Sequence, residues 1–224
     1  MNNLNNIKRN ISERNPLANA RRNAMQTRLI NKEVSFLVPN CIGGLLFHDL
    51  SLRFLSPTVN LMFEQKDFVK FILNLDEYLA MKLEFFSHSK FCFPCAHLGD
   101  LTIHFTHYMS NEEAEVKWYE RAGRIKKDNI FVFCEERDGL TQEEIKSLAN
   151  LNVKGLLVFT AHEYLDIPYA LFIPKYAKDG EVGNILKKNY LTGQREYELY
   201  FDFIKWFNEA DGGDYCVEPY SKVR

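Results

Sequence analysis

The chain has 224 residues, of which 46% are hydrophobic and 14% aromatic, enough for one large domain with a sizeable core, and this excludes disordered, collagen-like and low-complexity classes. A formal net charge of −2 offers no overall electrostatic case for nucleic acid or an anionic membrane as partner. No apolar run approaches the ~20 residues that span a bilayer, the N-terminus lacks the apolar stretch of a secretory signal, and five irregularly spaced cysteines fit a reducing compartment, so a cytoplasmic protein is expected.

Residues 1–30 form a basic N-terminal arm. Lys8, Arg9, Arg14, Arg21, Arg22 and Arg28 face the single acid Glu13 there, whereas the remainder of the chain is acidic. Leu4, Ile7 and Ile11 have helical spacing that Pro16 interrupts. Two readings follow: a partly helical segment packed on the domain, or a peripheral contact with acidic lipid headgroups or an anionic substrate at the inner face of the membrane.

Residues 31–224 read as a single α/β domain. Val34 to Val38 is a buried strand ended by Pro39-Asn40, and Gly43-Gly44 leads into a helical stretch to about Leu50. Val59 to Phe63 is a second strand candidate. Asp67 to Leu83 carries Phe68, Phe71, Ile72, Leu75, Tyr78, Leu79 and Leu83 at three- and four-residue steps, the pattern of one helix. Leu101 to Tyr108 alternates like a strand, which sets His104 and His107 on opposite faces. Ser110-Asn111-Glu112-Glu113 has the form of a capping box opening a helix to about Arg124. Ile130 to Cys134 is a strand, Thr141 with Glu144 caps another helix, and Leu156 to Phe159 is a further strand. Tyr169 to Ile173, between two prolines, suits an edge strand, and Tyr197 to Phe207 reads as an aromatic amphipathic helix. Strands separated by short helices predict a mostly parallel or mixed sheet with helices on both faces. Ligands of open α/β sheets bind beyond the carboxyl ends of the strands, so the residues after each strand are the ones to weigh.

Four constellations carry chemistry. Asn40-Cys41-Ile42-Gly43-Gly44 follows the first strand: glycines let backbone N–H groups approach a ligand, and a helix start there would favour negative charge and a reactive thiol, unless the segment is only a tight turn with a buried cysteine. His104 and His107 are acid/base candidates at a strand end, or structural histidines. Trp118, Arg121 and Arg124 share a helix stripe on which two guanidinium groups could grip phosphate or carboxylate, although cations near a helix C-terminus are also favoured by its dipole. Cys92-Phe93-Pro94-Cys95 with His97 lacks the second pair a zinc site needs and a good helix start for redox use. Ser56-Pro57-Thr58-Val59-Asn60 reads as a structural turn, Glu135, Glu136 and Asp138 as either a metal or base site or a solvated loop, and Thr160 and His162 as weak candidates.

In order along the chain, Asn40-Cys41-Ile42-Gly43-Gly44, Ser56-Pro57-Thr58-Val59-Asn60-Leu61, Asp67-Phe68, His107-Tyr108, Trp118-x-x-Arg121-x-x-Arg124 and Asp128-Asn129 resemble the pattern of a bacterial family of unknown biochemical function, whose members are commonly labelled exopolysaccharide biosynthesis proteins. The resemblance covers about residues 35–160. Ile42 stands where the family's pattern has tryptophan, and the Cys92/Cys95 loop lies outside it. It implies an α/β fold and a role in making surface polysaccharide, and it favours His107 over His104 and a functional Cys41.

The expectation is a transferase acting in cell-surface (exo- or capsular) polysaccharide biosynthesis, with acyl transfer as the most concrete mechanism. Cys41 is expected to be the nucleophile or to line the reacting carbonyl, and His107 to move the proton. Gly43 and Gly44 stabilise the oxyanion, and Arg121 and Arg124 hold the phosphates of a donor such as acetyl-CoA, with no tightly held metal. Asn40, Ser56, Thr58, Asn60, Tyr108 and Trp118 complete the expected donor and acceptor surroundings, and the acceptor is a saccharide or lipid-linked saccharide. One alternative is a glycosyl or sugar-phosphate transferase using a nucleotide-sugar donor, with a divalent ion held near Glu135 and Asp138. Another is a non-catalytic module docked on a polysaccharide synthesis complex through its basic arm.

Overall fold

A computed structural model describes residues 15–212 and Val217. Its centre is a four-stranded, wholly parallel sheet of β1 (Ser35–Leu37), β5 (Ile130–Glu135), β6 (Gly155–Thr160) and β7 (Ala170–Phe172), adjacent in that order. Ser35 pairs with Ile130, Cys134 with Val158, and Phe159 with Leu171. These strands are continuous apolar runs because both faces are covered. Alternate residues divide between two cores: Leu37, Val132, Cys134, Leu156 and Val158 face one side, and Phe36, Val38, Phe131, Phe133, Leu157 and Phe159 face the other. This is the single α/β domain expected.

The helices follow the two cores. α2 (Ile42–Leu50), α1 (Pro16–Arg28) and α8 (Phe203–Glu209) cover the phenylalanine-rich face, where Phe131 meets Trp206 and Phe207 edge-on at 4.8 and 5.1 Å between centroids. α3 (Gln65–Leu73), α4 (Leu75–Ala80), α5 (Asn111–Ala122) and α6 (Gln142–Ser147) cover the other face. Between β1 and β5 the chain also builds an antiparallel sheet of β2 (Leu83–Phe86), β3 (Cys95–Leu98) and β4 (Leu101–His104). α7 (Tyr197–Tyr200) precedes α8. No helix among the described residues is long and apolar enough to cross a membrane.

Pro16 occupies the first turn of α1, where its missing N–H costs nothing, and Asn15 Oδ1 caps the start by accepting from Leu17 N at 2.9 Å. Other expectations are corrected. The predicted Asp67–Leu83 helix breaks at Asn74, whose Nδ2 donates to the Lys70 carbonyl at 3.1 Å, and Leu83 opens β2. Val59 to Phe63 is irregular: Asn60 takes φ 61°, and Met62 makes only an isolated bridge to His104. The strand predicted through Tyr108 stops at His104, where Thr106 N turns back onto the His104 carbonyl at 3.0 Å. The closing helix divides at Asp202, whose Oδ1 accepts from Ile204 and Lys205 N–H groups and begins α8 afresh. The capping box at Thr141 and Glu144 is present as read, whereas at Ser110 the hydroxyl accepts from Glu113 N but the Glu113 carboxylate accepts from Met109 N instead.

Of the basic arm, the described part is α1 packed on the domain. Arg21 pairs with Asp49 and Glu198, and Arg28 with Asp202. Leu4, Ile7, Lys8, Arg9, Ile11 and Arg14 lie outside the described residues.

Candidate functional site

The carboxyl end of β1 runs through Val38-Pro39 to Asn40, which makes two hydrogen bonds in different directions. Its Oδ1 accepts from Ile42 N at 2.9 Å, satisfying one of the free donors at the start of α2. Its Nδ2 donates to Glu135 Oε2 at 2.7 Å, at the end of the neighbouring strand β5. Glu135 is fully buried, and Gln65 clasps it from α3: Glu135 N donates to Gln65 Oε1 at 3.2 Å, and Gln65 Nε2 lies 3.5 Å from Glu135 Oε2. Burial pushes the Glu135 carboxyl up to about 8, against the smaller opposing pull of Arg137 and the Asn40 bond. The turn from β1 into α2 is therefore pinned to the sheet by a carboxyl group that is mainly protonated at neutral pH.

This turn delivers Cys41 to the N-cap of α2. From the other side, the turn after β4 swings His107 over it, and Cys41 Sγ lies 3.3 Å from His107 Nε2. Cys41 is half-buried and His107 exposed, so the pair meets solvent. Burial pushes the thiol's pKa up, partly opposed by the neighbouring Thr106 hydroxyl, so at neutral pH the sulfur holds its proton. A reaction through that sulfur then needs a base to take the proton during attack, and His107 is placed for it.

Gly43 and Gly44 occupy the first turn of α2, where N–H groups have no carbonyl four residues back within the helix. Gly44 is demanded by packing: a Cβ there would stand 2.3 Å from Asn60 Oδ1. The Asn60 carbonyl in turn accepts from the Thr106 hydroxyl at 3.5 Å, so the Asn60 loop connects α2 to the turn carrying His107. A thiol, an imidazole and N–H donors at a helix start thus share one rim of the parallel sheet.

The other expected residues stand behind this rim. Ser56 and Thr58 are buried and bonded to each other at 3.0 Å, and the Thr58 hydroxyl accepts from Val38 N at 3.1 Å, satisfying backbone just past the end of β1. Tyr108 is buried and donates to the Val59 carbonyl at 2.8 Å. Arg121, buried beside Phe54, donates to the Tyr108 hydroxyl at 2.5 Å and to the Val59 carbonyl at 3.3 Å. Trp118 fills the core against Phe71 and Phe105. Arg124 pairs with Glu120 and reaches the Phe54 carbonyl at 3.5 Å. The two guanidinium groups therefore brace the Asn60 loop and α5.

His104 packs away from His107: its Nδ1 lies 3.4 Å from Cys95 Sγ, and burial, with His88 nearby, holds its pKa down. Cys92 is exposed, and His97 stacks on Phe86 at 4.3 Å. Asp138, at φ 54°, is exposed beside Arg137. Among the described residues no group of three or more His, Cys, Asp or Glu side chains is gathered as a metal site. A cleft of about 370 Å³ lined by Leu17, Met25, Leu46 and Phe201 lies under α1 and shares no residue with the Cys41–His107 pair. Sequence reasoning did not find Gln65 or Thr106, or the role of Glu135 as the anchor of Asn40.

Comparison with known proteins matches residues 13–208 to the family described as Domain of unknown function (DUF1919). An uncharacterized protein of Haemophilus influenzae is 37% identical over 186 residues, covering 83% of this chain and 89% of that relative.

Proposed function

The chain belongs to the DUF1919 family, and on that premise we propose that it transfers an acyl group through Cys41 onto a precursor of a cell-surface polysaccharide. The observation that carries the reading is the 3.3 Å approach of Cys41 Sγ to His107 Nε2 at the carboxyl rim of the parallel sheet. His107 takes the thiol proton as the sulfur attacks the carbonyl carbon of a thioester donor such as acetyl-CoA. The tetrahedral oxyanion faces the first-turn N–H groups of Gly43 and Gly44. The carbon–sulfur bond to the coenzyme then breaks, and the departing thiolate takes the proton back from His107. Cys41 is left as a thioester that an acceptor hydroxyl attacks in a second step. The polysaccharide context rests on the family resemblance of the motifs around Cys41 and His107, and the donor's phosphates need contacts other than Arg121.

The test is incubation of the full chain with radiolabelled acetyl-CoA, followed by peptide mapping. Hydroxylamine-labile label on the peptide holding Cys41 is expected, absent in Cys41→Ala and slowed about 100-fold in His107→Ala, the ordinary size of a lost general base. Wild-type protein without label on Cys41, or label undiminished in Cys41→Ala, overturns the reading.

A further inference from the structure

At the end of the neighbouring strands stands a carboxyl–imidazole pair, Glu136 and His162. Glu136 follows Glu135 at the end of β5, and its side chain turns to β6 instead of α2. Its Oε2 accepts from the backbone N–H groups of Ala161 and His162 at 2.7 and 3.1 Å. Its Oε1 accepts from the Tyr164 hydroxyl at 2.5 Å and binds His162 Nδ1 at 2.8 Å. The carboxylate is 6% exposed, whereas the His162 side chain is 53% exposed. These four hydrogen bonds fix the Glu136 carboxyl group in one place. With Nδ1 held by the Glu136 carboxyl group, Nε2 is the ring nitrogen left for another partner, and it has no hydrogen-bond partner among the described residues. A merely structural carboxylate would already be satisfied by Ala161, His162 N–H and Tyr164.

The place of the pair matters as much as its chemistry. Cys41 follows β1 and His162 follows β6, with β5 between them, so the two strand ends stand two strand spacings, about 10 Å, apart. Asn40, Glu135, Glu136 and His162 succeed one another along that rim through the 2.7 and 2.8 Å bonds already given. We propose that His162, oriented by Glu136, is the general base for the acceptor: it takes the proton of the attacking hydroxyl while Cys41 and His107 serve the donor.

This rests on Cys41 being the acyl carrier. In the step, the acceptor oxygen bonds to the thioester carbon, its proton passes to His162 Nε2, and the carbon–sulfur bond to Cys41 breaks with its electron pair on sulfur. An ester is formed. His162 releases its proton to solvent, and the thiolate regains one from solvent past exposed His107. The hydroxyl is recognised by an imidazole acceptor in place of a charged clamp.

The experiment uses the full chain labelled on Cys41 with radioactive acetyl-CoA, freed of excess donor, with loss of label then followed in water and in glycerol as the simple hydroxyl acceptor. His162→Gln is expected to acquire label at a rate within twofold of wild type, which also reports that the variant is folded, and to lose it about 100-fold more slowly. Normal labelling of His162→Gln with loss at the wild-type rate overturns this inference and leaves the role of Cys41 standing. Failure of wild-type Cys41 to label overturns both. Slowed labelling of His162→Gln equal to its slowed release also overturns it, because His162 would then serve both halves or the fold.

Discussion

Replacing Glu135 by glutamine keeps the size and the carbonyl oxygen that Asn40 Nδ2 needs but removes the ionisable proton. The ordinary carboxyl value of 4.5 is pushed to about 8 by burial in the folded protein. Below pH 4.5 the carboxyl is protonated in both folded and unfolded chains, so no penalty exists. Between 4.5 and about 8 the unfolded chain loses the proton while the folded one keeps it, so wild-type stability falls as pH rises. Above about 8 the full cost is present. About 3.5 pH units at 1.36 kcal/mol each amounts to about 5 kcal/mol across the window, about 3 of which are reached by neutral pH. Urea unfolding of wild type and Glu135→Gln at pH 5, 6, 7 and 8, followed by circular dichroism, measures this directly. The difference between the two cancels opposing contributions such as that of His104, whose lowered pKa acts in the other direction. The variant is expected to gain on the wild type steadily from pH 5 to pH 8. Parallel stability profiles would refute the argument that this carboxyl is desolvated and held by Asn40 and Gln65.

Arg121→Met removes the donor to the Tyr108 hydroxyl and the Val59 carbonyl, and is expected to cost about 2–3 kcal/mol, a fall in Tm of about 5–10 °C, while labelling of Cys41 by acetyl-CoA continues in the folded fraction. Unchanged Tm with loss of labelling would instead make Arg121 a donor contact. Gly155→Ala forces a Cβ to within 2.5 Å of Phe131 and 2.7 Å of Trp206, and should destabilise by about 3 kcal/mol in the same urea assay. A variant as stable as wild type would mean that these rings yield freely.

The parallel sheet was legible because each of its strands is a short, unbroken apolar run closed by a proline, a polar turn or a capped helix. β2 and β3 were not: each is four residues long, Leu83 also completes the helical spacing of the segment before it, and Phe91 between them is exposed. Cys41 and His107 could be named by residue type and position after strands. Their 3.3 Å approach could not, because it depends on the chain leaving the strand at His104 and on Asn60 adopting φ 61°. The roles of Gln65 and Glu135 depend on strands β1 and β5 lying side by side, and no local pattern encodes that neighbour. Arg121 shows the converse limit: its chemistry suits an anion, but burial against Phe54 and Tyr108 commits it to the fold.

Inserting a whole antiparallel layer between β1 and β5 has a kinetic consequence. Ser35 must find Ile130 across the intervening chain, whereas β5, β6 and β7 are joined by short connections. Closing the longer loop is the slower event, so the outermost strand docks onto a sheet that already exists. The thiol rides on that strand's exit and its anchoring carboxyl on the waiting partner, which makes the rim the last part of the molecule to be assembled. Pulsed hydrogen exchange during refolding, followed at the Ser35 N–H that donates to the Asn129 carbonyl, would therefore read out the arrival of the final strand.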